Sequence, residues 1–249
     1  MIGFVARPDS GFRMFRRGRW PRGFVLPLAI VILFVSSIAM SIPVADEVSV
    51  TEYAVPDAGI ASHTPGDCTA TNNFNLIGAK WTKFPVTYQI DVSKAPPDVQ
   101  AKATAEIVAG FEAWEGITKG IANFFEKVSS SGNKVQFRFI DGPGGVLAQV
   151  QLQSRQGVFT KFTMTFDSGD NWKVFVGDAC PTPDGLVGFD IQEVAAHEAG
   201  HVVGLHHATQ CDTCGNRALT MYPFILAQGE TYKRSPELGD KSGMQSLYP

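Results

Sequence analysis

The chain has 249 residues, 44% of them hydrophobic and 18% charged, which allows one sizeable domain with an appended segment but not two full domains. Its charge is unevenly spread: residues 1–23 hold six arginines (Arg7, Arg13, Arg16, Arg17, Arg19 and Arg22) and one acid, Asp9, leaving 15 basic and 23 acidic residues beyond them. An acidic remainder without a basic stripe excludes nucleic acid as a partner, because a phosphate-binding face needs clustered lysine and arginine.

After the basic start, residues 24–42 form an uncharged apolar run, FVLPLAIVILFVSSIAMSI. Nineteen such residues sit at the lower end of what spans a bilayer as a helix. Basic residues before the run and none just after it orient the remainder to the outside. Two readings stay open, a retained anchor and a signal peptide cut near the small residues Ser37, Ala39 and Ser41. Both export the remainder of the chain, so the localisation expected is extracellular, either secreted or membrane-anchored. All four cysteines lie beyond the run, where an even count predicts two disulfides. Cys211 and Cys214 are close enough to pair locally, which would leave Cys68 with Cys180.

Residues 43–78 are rich in Asp, Thr, Ser, Gly, Pro and Asn and show little periodicity, so they are expected to form a stalk, with the folded domain over 79–249. Phe84–Asp91 alternates like a strand. A helix is predicted to open at Pro96-Pro97-Asp98, with Ala103, Ile107, Phe111 and Trp114 as one buried stripe. Further strands are expected over 135–140, 146–152 and 159–166, the first two joined by the turn Asp141-Gly-Pro-Gly-Gly145. A loop follows over 177–189, then a helix over 190–205. A third helix is predicted to begin at Ser235-Pro236, with Ser as N-cap and Pro in the first position. Strands after one helix, with helices at the end, read as α+β.

The chemistry concentrates in His197-Glu198-Ala199-Gly200-His201-Val202-Val203-Gly204-Leu205-His206-His207, which holds four of the five histidines. Two histidines four apart on a helix share one face, about 6 Å apart along the axis. Both imidazoles can therefore reach one zinc ion at about 2.0–2.1 Å. Gly204 can adopt positive φ, end the helix and return His207 as third ligand. Three protein ligands leave a fourth position for water, the mark of a catalytic rather than a structural zinc. Glu198, next to the first ligand, would take a proton from that water. His206 is one residue out of register and is read as a rim residue.

This extended HExxHxxGxxH run, followed fourteen residues later by Met221-Tyr222-Pro223, resembles the metzincin superfamily and, within it, the matrixins. Lys80-Trp81 with Val86-Thr87-Tyr88, Gly110–Trp114, Gly142–Ala148 and Ser235–Tyr248 extend the resemblance over roughly residues 80–249. It implies a zincin-like fold, with a twisted mixed sheet, an active-site helix and a small C-terminal subdomain ending in a helix. It also implies a zinc-dependent endopeptidase acting on extended protein or peptide substrates as a monomer. Met221 would lie beneath the histidines. Gly145, Val146, Leu147 and Ala148 would offer an edge strand to the substrate, and Tyr222 and Pro223 would border the pocket beyond the scissile bond.

The departures narrow the expectation. Ile140-Asp141 runs straight into the GPGG turn, Gln149 follows Leu147-Ala148, and the one histidine outside the motif is His63. A single catalytic zinc is therefore expected, without a second, structural one. Gly66-Asp67-Cys68 lacks the flanks of a cysteine-switch pro-segment, so latency through a Cys–zinc bond is not expected. No accessory domain is expected after Pro249. Asp167 and Asp170 read either as calcium ligands or as a solvated turn. The rival functional reading is a catalytically inactive, zinc-stabilised binding module at the cell surface.

Overall fold

In a computed structural model of the chain, the residues described are 46–54, 71–177, 187–208, 219–225 and 228–249. The first of these segments forms strand β1 (Glu47–Ala54), and β2 (Asn75–Leu76) follows. β3 (Val86–Asp91) leads into helix α1 (Gln100–Glu112), and then come β4 (Phe125–Lys127) and β5 (Lys134–Arg138). The long hairpin β6 (Val146–Arg155) and β7 (Val158–Asp167) precedes the short strands β8 (Trp172–Lys173) and β9 (Phe189–Asp190). Helix α2 (Ile191–Val203), β10 (Leu205–His206) and helix α3 (Leu238–Leu247) complete the order.

Six strands form one sheet in the order β1-β6-β7-β5-β3-β4. Parallel pairing joins β4 to β3, β3 to β5 and β5 to β7, while β6 runs antiparallel to β7 and β1 antiparallel to β6. The sheet is thus mixed. Its inner face is set by alternation: Val86 and Tyr88, Val135 and Phe137, Ala148, Val150 and Leu152, and Phe162, Met164 and Phe166 are all buried. The opposite face carries polar partners such as Gln136, whose amide donates to Thr165 Oγ1 at 3.3 Å.

Helices α1 and α2 pack together under that inner face. Ala103, Ile107, Phe111 and Trp114 are fully buried, as their spacing predicts. The Phe111 ring stacks on Tyr88 with centroids 4.2 Å apart. The Trp114 indole N–H donates to the Ala196 carbonyl at 2.8 Å, so α1's last aromatic both fills the core and fixes α2. Burial of each such side chain favours folding by roughly 1.5–3 kcal/mol. The expected strands and both long helices are present, with ends shifted by a few residues.

Two expectations need revision. The stretch read as a stalk contributes β1 and β2. β1 hides from a periodicity search because its apolar residues, Val48 and Val50, point outward, while Ser49 and Thr51 are the more covered ones. Helix α3 begins later than Ser235-Pro236. Its N-cap is Glu237, which forms a reciprocal capping box with Asp240, and that pairing outweighs the Ser-Pro signal. The apolar run 24–42 and all four cysteines lie outside the described residues. No helix among the described residues is long and apolar enough to cross a membrane.

Candidate metal centre and its cleft

Helix α2 is buried on all sides except at Gln192. It starts where the Asp190 carboxylate accepts the Glu193 amide at 2.8 Å, an N-cap that answers one of the helix's four unpaired amides. His197 and His201 lie on one face, fully buried, with ring centroids 4.8 Å apart. Each is held through Nδ1: His197 donates to the Thr220 carbonyl at 2.6 Å and His201 to the Leu205 carbonyl at 2.8 Å. With Nδ1 protonated, Nε2 carries the lone pair, the tautomer a metal requires.

Gly204 terminates α2 at φ +117° and donates back to the Gly200 and His201 carbonyls. A β-carbon here would lie 2.9 Å from both the Ala79 carbonyl oxygen and Leu247 Cδ1, so the turn tolerates only glycine. Beyond it, β10 pairs with β2, the Ile77 amide donates to the Gly204 carbonyl at 2.9 Å, and the Asn75 side chain donates to the His207 carbonyl at 2.8 Å. The turn is thereby clamped so that His207 faces the helix. The His207 and His201 Nε2 atoms are 3.1 Å apart. Two nitrogens bound to one tetrahedral zinc would be separated by roughly 3.3 Å, given ~2.05 Å bonds. Ligand atoms of all three histidines lie within 4.8 Å of one another, the one such group of three or more metal-ligating side chains among the described residues. The donor set fits a single zinc ion.

The electrostatics agree with that fit. Burial, reinforced by the neighbouring rings, holds His197 and His201 well below the usual imidazole range, and His207 is lowered to about 4. All three are therefore neutral at physiological pH, as metal ligation demands. Glu198 is fully buried and neither carboxylate oxygen accepts a hydrogen bond. Burial, with the nearby Glu52 charge, pushes its carboxyl well above the usual carboxylate range. A buried acid without partners is costly unless a cation or a reacting group faces it.

Beneath the histidines the chain turns through Leu219, Thr220 and Met221, all buried. Asp240, at the start of α3, accepts the Thr220 amide at 2.9 Å and the Met221 amide at 3.3 Å, while the Ala208 amide donates to the Met221 carbonyl at 2.8 Å. Burial raises the Asp240 carboxyl to about 6. The Met221 sulfur is so close to Gly200 that a β-carbon on Gly200 would lie 2.2 Å from it. Gly200, between the first two ligands, is thus the residue that lets the methionine approach.

A sequence model of the Matrixin family (Peptidase M10) matches residues 80–249. The chain belongs to the matrixin family. It is 29% identical over 204 residues to human matrix metalloproteinase-27, covering 78% of this chain and 33% of that protein. Human matrix metalloproteinase-26 is 29% identical over 208 residues (78% and 65%), and rat stromelysin-3 is 30% identical over 188 residues (70% and 32%). The chain thus spans about a third of two of these relatives and just under two thirds of the other. Matrixins are zinc metalloendopeptidases, secreted or membrane-anchored, and the α+β metzincin fold is the one observed here.

In this matrixin the other residues anticipated at the site divide into two groups. Gly145 closes the turn at φ +81°, and Val146, Leu147 and Ala148 open β6, with Leu147 and Ala148 buried. Tyr222 and Pro223 are half-buried, and Pro223 and Phe224 face His206 and His207 across a cleft of about 470 Å³. The opposite wall of that cleft is Val50, Thr51 and Glu52 of β1, which no spacing argument anticipated. Asp167 and Asp170 are buried rather than solvated. Asp167 accepts the amides of Asp141, Gly142 and Gly169, and Asp170 accepts that of Gly144, so together they shape the turn that feeds β6.

A buried ionic group behind the cleft has no counterpart among the residues anticipated from sequence. Arg234 grips the N-cap Asp190 with two bonds of 2.7 and 2.8 Å. Lys233, fully buried, pairs with Glu230 and donates to the Phe224 carbonyl at 2.6 Å, and its ammonium lies over the Tyr222 and Tyr232 rings. These contacts tie the cleft wall at Tyr222–Phe224 to the start of α2. Asp190 followed by Glu193 is a capping pattern legible in sequence, but nothing local marks Lys233 and Arg234 as its distant partners.

Proposed function

We propose that this matrixin is a zinc-dependent endopeptidase that hydrolyses peptide bonds in extended protein substrates outside the membrane. The observation that carries the reading is the convergence of three buried imidazole lone pairs beside a buried Glu198 whose carboxylate accepts no hydrogen bond. His197, His201 and His207 hold the zinc, which when bound polarises the scissile carbonyl and acidifies water. Glu198 is the general base. It takes a proton as the water oxygen bonds to the carbonyl carbon, and delivers it to the nitrogen as the C–N bond breaks. Met221 supports the ligands from below without binding the metal. The Val146–Ala148 edge offers backbone hydrogen bonds to the substrate, and Tyr222 and Pro223 border the pocket for the side chain after the cut. Export rests on the basic start and apolar run of residues 1–42, whether that run is kept as an anchor or removed.

A proteome-wide cleavage-site profile compares the full chain with Glu198→Ala. New termini generated by the wild type should fall by about 10²–10⁴-fold in the variant, the usual worth of a positioned base, while bound zinc measured by mass spectrometry stays at one ion per chain. Identical profiles from the two proteins would sink the proposal and favour the inactive binding module.

A further inference from the structure

Strand β1 lies along the side of β6 that a substrate would need. We propose that residues 47–54 are an intramolecular competitor, seated as a substrate-like strand in the cleft and displaced when a true substrate binds. This rests on the peptidase reading above and adds how that site is regulated.

The register is continuous, from Glu47 opposite Ser154 to Thr51 opposite Val150 and Tyr53 opposite Ala148. Ala54 comes opposite Val146 after a one-residue shift. Because β6 has β7 on its other side, β1 takes the whole free edge, including the Val146–Ala148 stretch assigned to substrate. The strand also reaches the metal centre. The Glu52 backbone carbonyl accepts a hydrogen bond from the His207 ring, and the Glu52 charge is felt at Glu198. Val50, Thr51 and Glu52 face Pro223 and Phe224 across the cleft, where an extended peptide would pass.

What holds β1 is the backbone ladder rather than the core. Val48 and Val50 are 62% and 48% exposed. The flanking pair between Arg155 and Asp46 is exposed, and such pairs contribute about 0–1 kcal/mol. The one covered anchor is Thr51, whose hydroxyl donates to the Val150 carbonyl at 3.5 Å. A strand attached in this way can be exchanged for another strand with the same backbone pattern.

The geometry also says which amides matter. Backbone groups alternate sides along a strand, and the Glu52 carbonyl points to His207, so Ser49 and Thr51 direct their amides to β6 while Val48 and Val50 direct theirs away. Proline removes a donor. In the full chain, Ser49→Pro/Thr51→Pro should release the strand, whereas Val48→Pro/Val50→Pro should leave it paired. If the closed form is about 90% populated, release lowers KM about tenfold at unchanged kcat, because only the open fraction binds substrate.

The measurement is KM and kcat on a quenched fluorescent peptide, paired with hydrogen exchange of the wild-type chain. Slow exchange at Ser49 and Thr51, with the KM drop confined to the first variant, supports the competitor. Unchanged KM in that variant, or fast exchange at both amides in the wild type, overturns it. If neither protein cleaves, the peptidase reading has failed. Exchange at Ser49 and Thr51 on adding millimolar unlabelled peptide then decides the competitor alone: acceleration supports it and no change overturns it.

Discussion

Gly200 shows how one missing atom shapes a metal site. It stands between His197 and His201, and its bare Cα lets the Met221 sulfur and the Trp114 indole close from below. Alanine would put a carbon 2.2 Å from the sulfur and 2.6 Å from Trp114 Cζ2. Neither neighbour is free to move, since Trp114 is tied to Ala196 and the Met221 amide to Asp240. Gly200→Ala should therefore destabilise the fold by about 1–3 kcal/mol, the usual cost of overpacking. It should also weaken zinc binding, which chelator competition would measure, and an unchanged midpoint and affinity would refute the account. At this scale the sequence was most readable where function is written over short spacings. The i, i+4 histidines, Glu198 and the glycine that turns the chain toward His207 all fall within eleven residues. Lys233, Arg234 and Asp240 were not readable, because their partners lie 9 to 44 residues away and a lone charge looks the same buried or exposed.

At the scale of elements, long apolar alternation was legible and short or outward-facing strands were not. β5, β6, β7 and α1 announce themselves through inward residues at period two or near 3.6, whereas β1 turns its valines to solvent and β2 is two residues long. The turn into β6 depends on a different kind of support. Asp170 holds the Gly144 amide at 2.8 Å, and burial, with Asp167 and Asp141 nearby, raises its carboxyl to about 7. A carboxyl whose folded value exceeds its unfolded one favours folding in its protonated form. That contribution is full below about pH 4 and is lost as pH rises through 7. Asp170→Asn keeps an acceptor for Gly144 without the charge. Its thermal midpoint relative to wild type should then climb between pH 5 and 8, whereas a constant difference over that range would show that Asp170 does not titrate there.

For the whole molecule, the metal centre is a meeting point of distant segments. Asn75 from the region read as a stalk, Thr220 from the lower turn and Asp240 from α3 all hold the ligands or their turn. A ligand that binds only this assembled arrangement stabilises the fold by mass action, about 2.7 kcal/mol at a concentration 100 times its Kd. Zinc titrated into chelator-treated protein should therefore raise the thermal midpoint progressively, and a midpoint indifferent to zinc would show that the histidines do not bind it in the folded state.

The carboxyl end of α2 is also closed from far away. The Trp81 indole donates to the Val202 carbonyl at 2.8 Å, and the Tyr248 hydroxyl donates to the Val203 carbonyl at 2.8 Å while accepting the Trp81 amide. Tyr248 is translated long after the histidines have emerged. Order of synthesis therefore sets order of assembly: the ligands wait, unsupported, until α3 arrives, and metal capture is the closing event of folding rather than its seed.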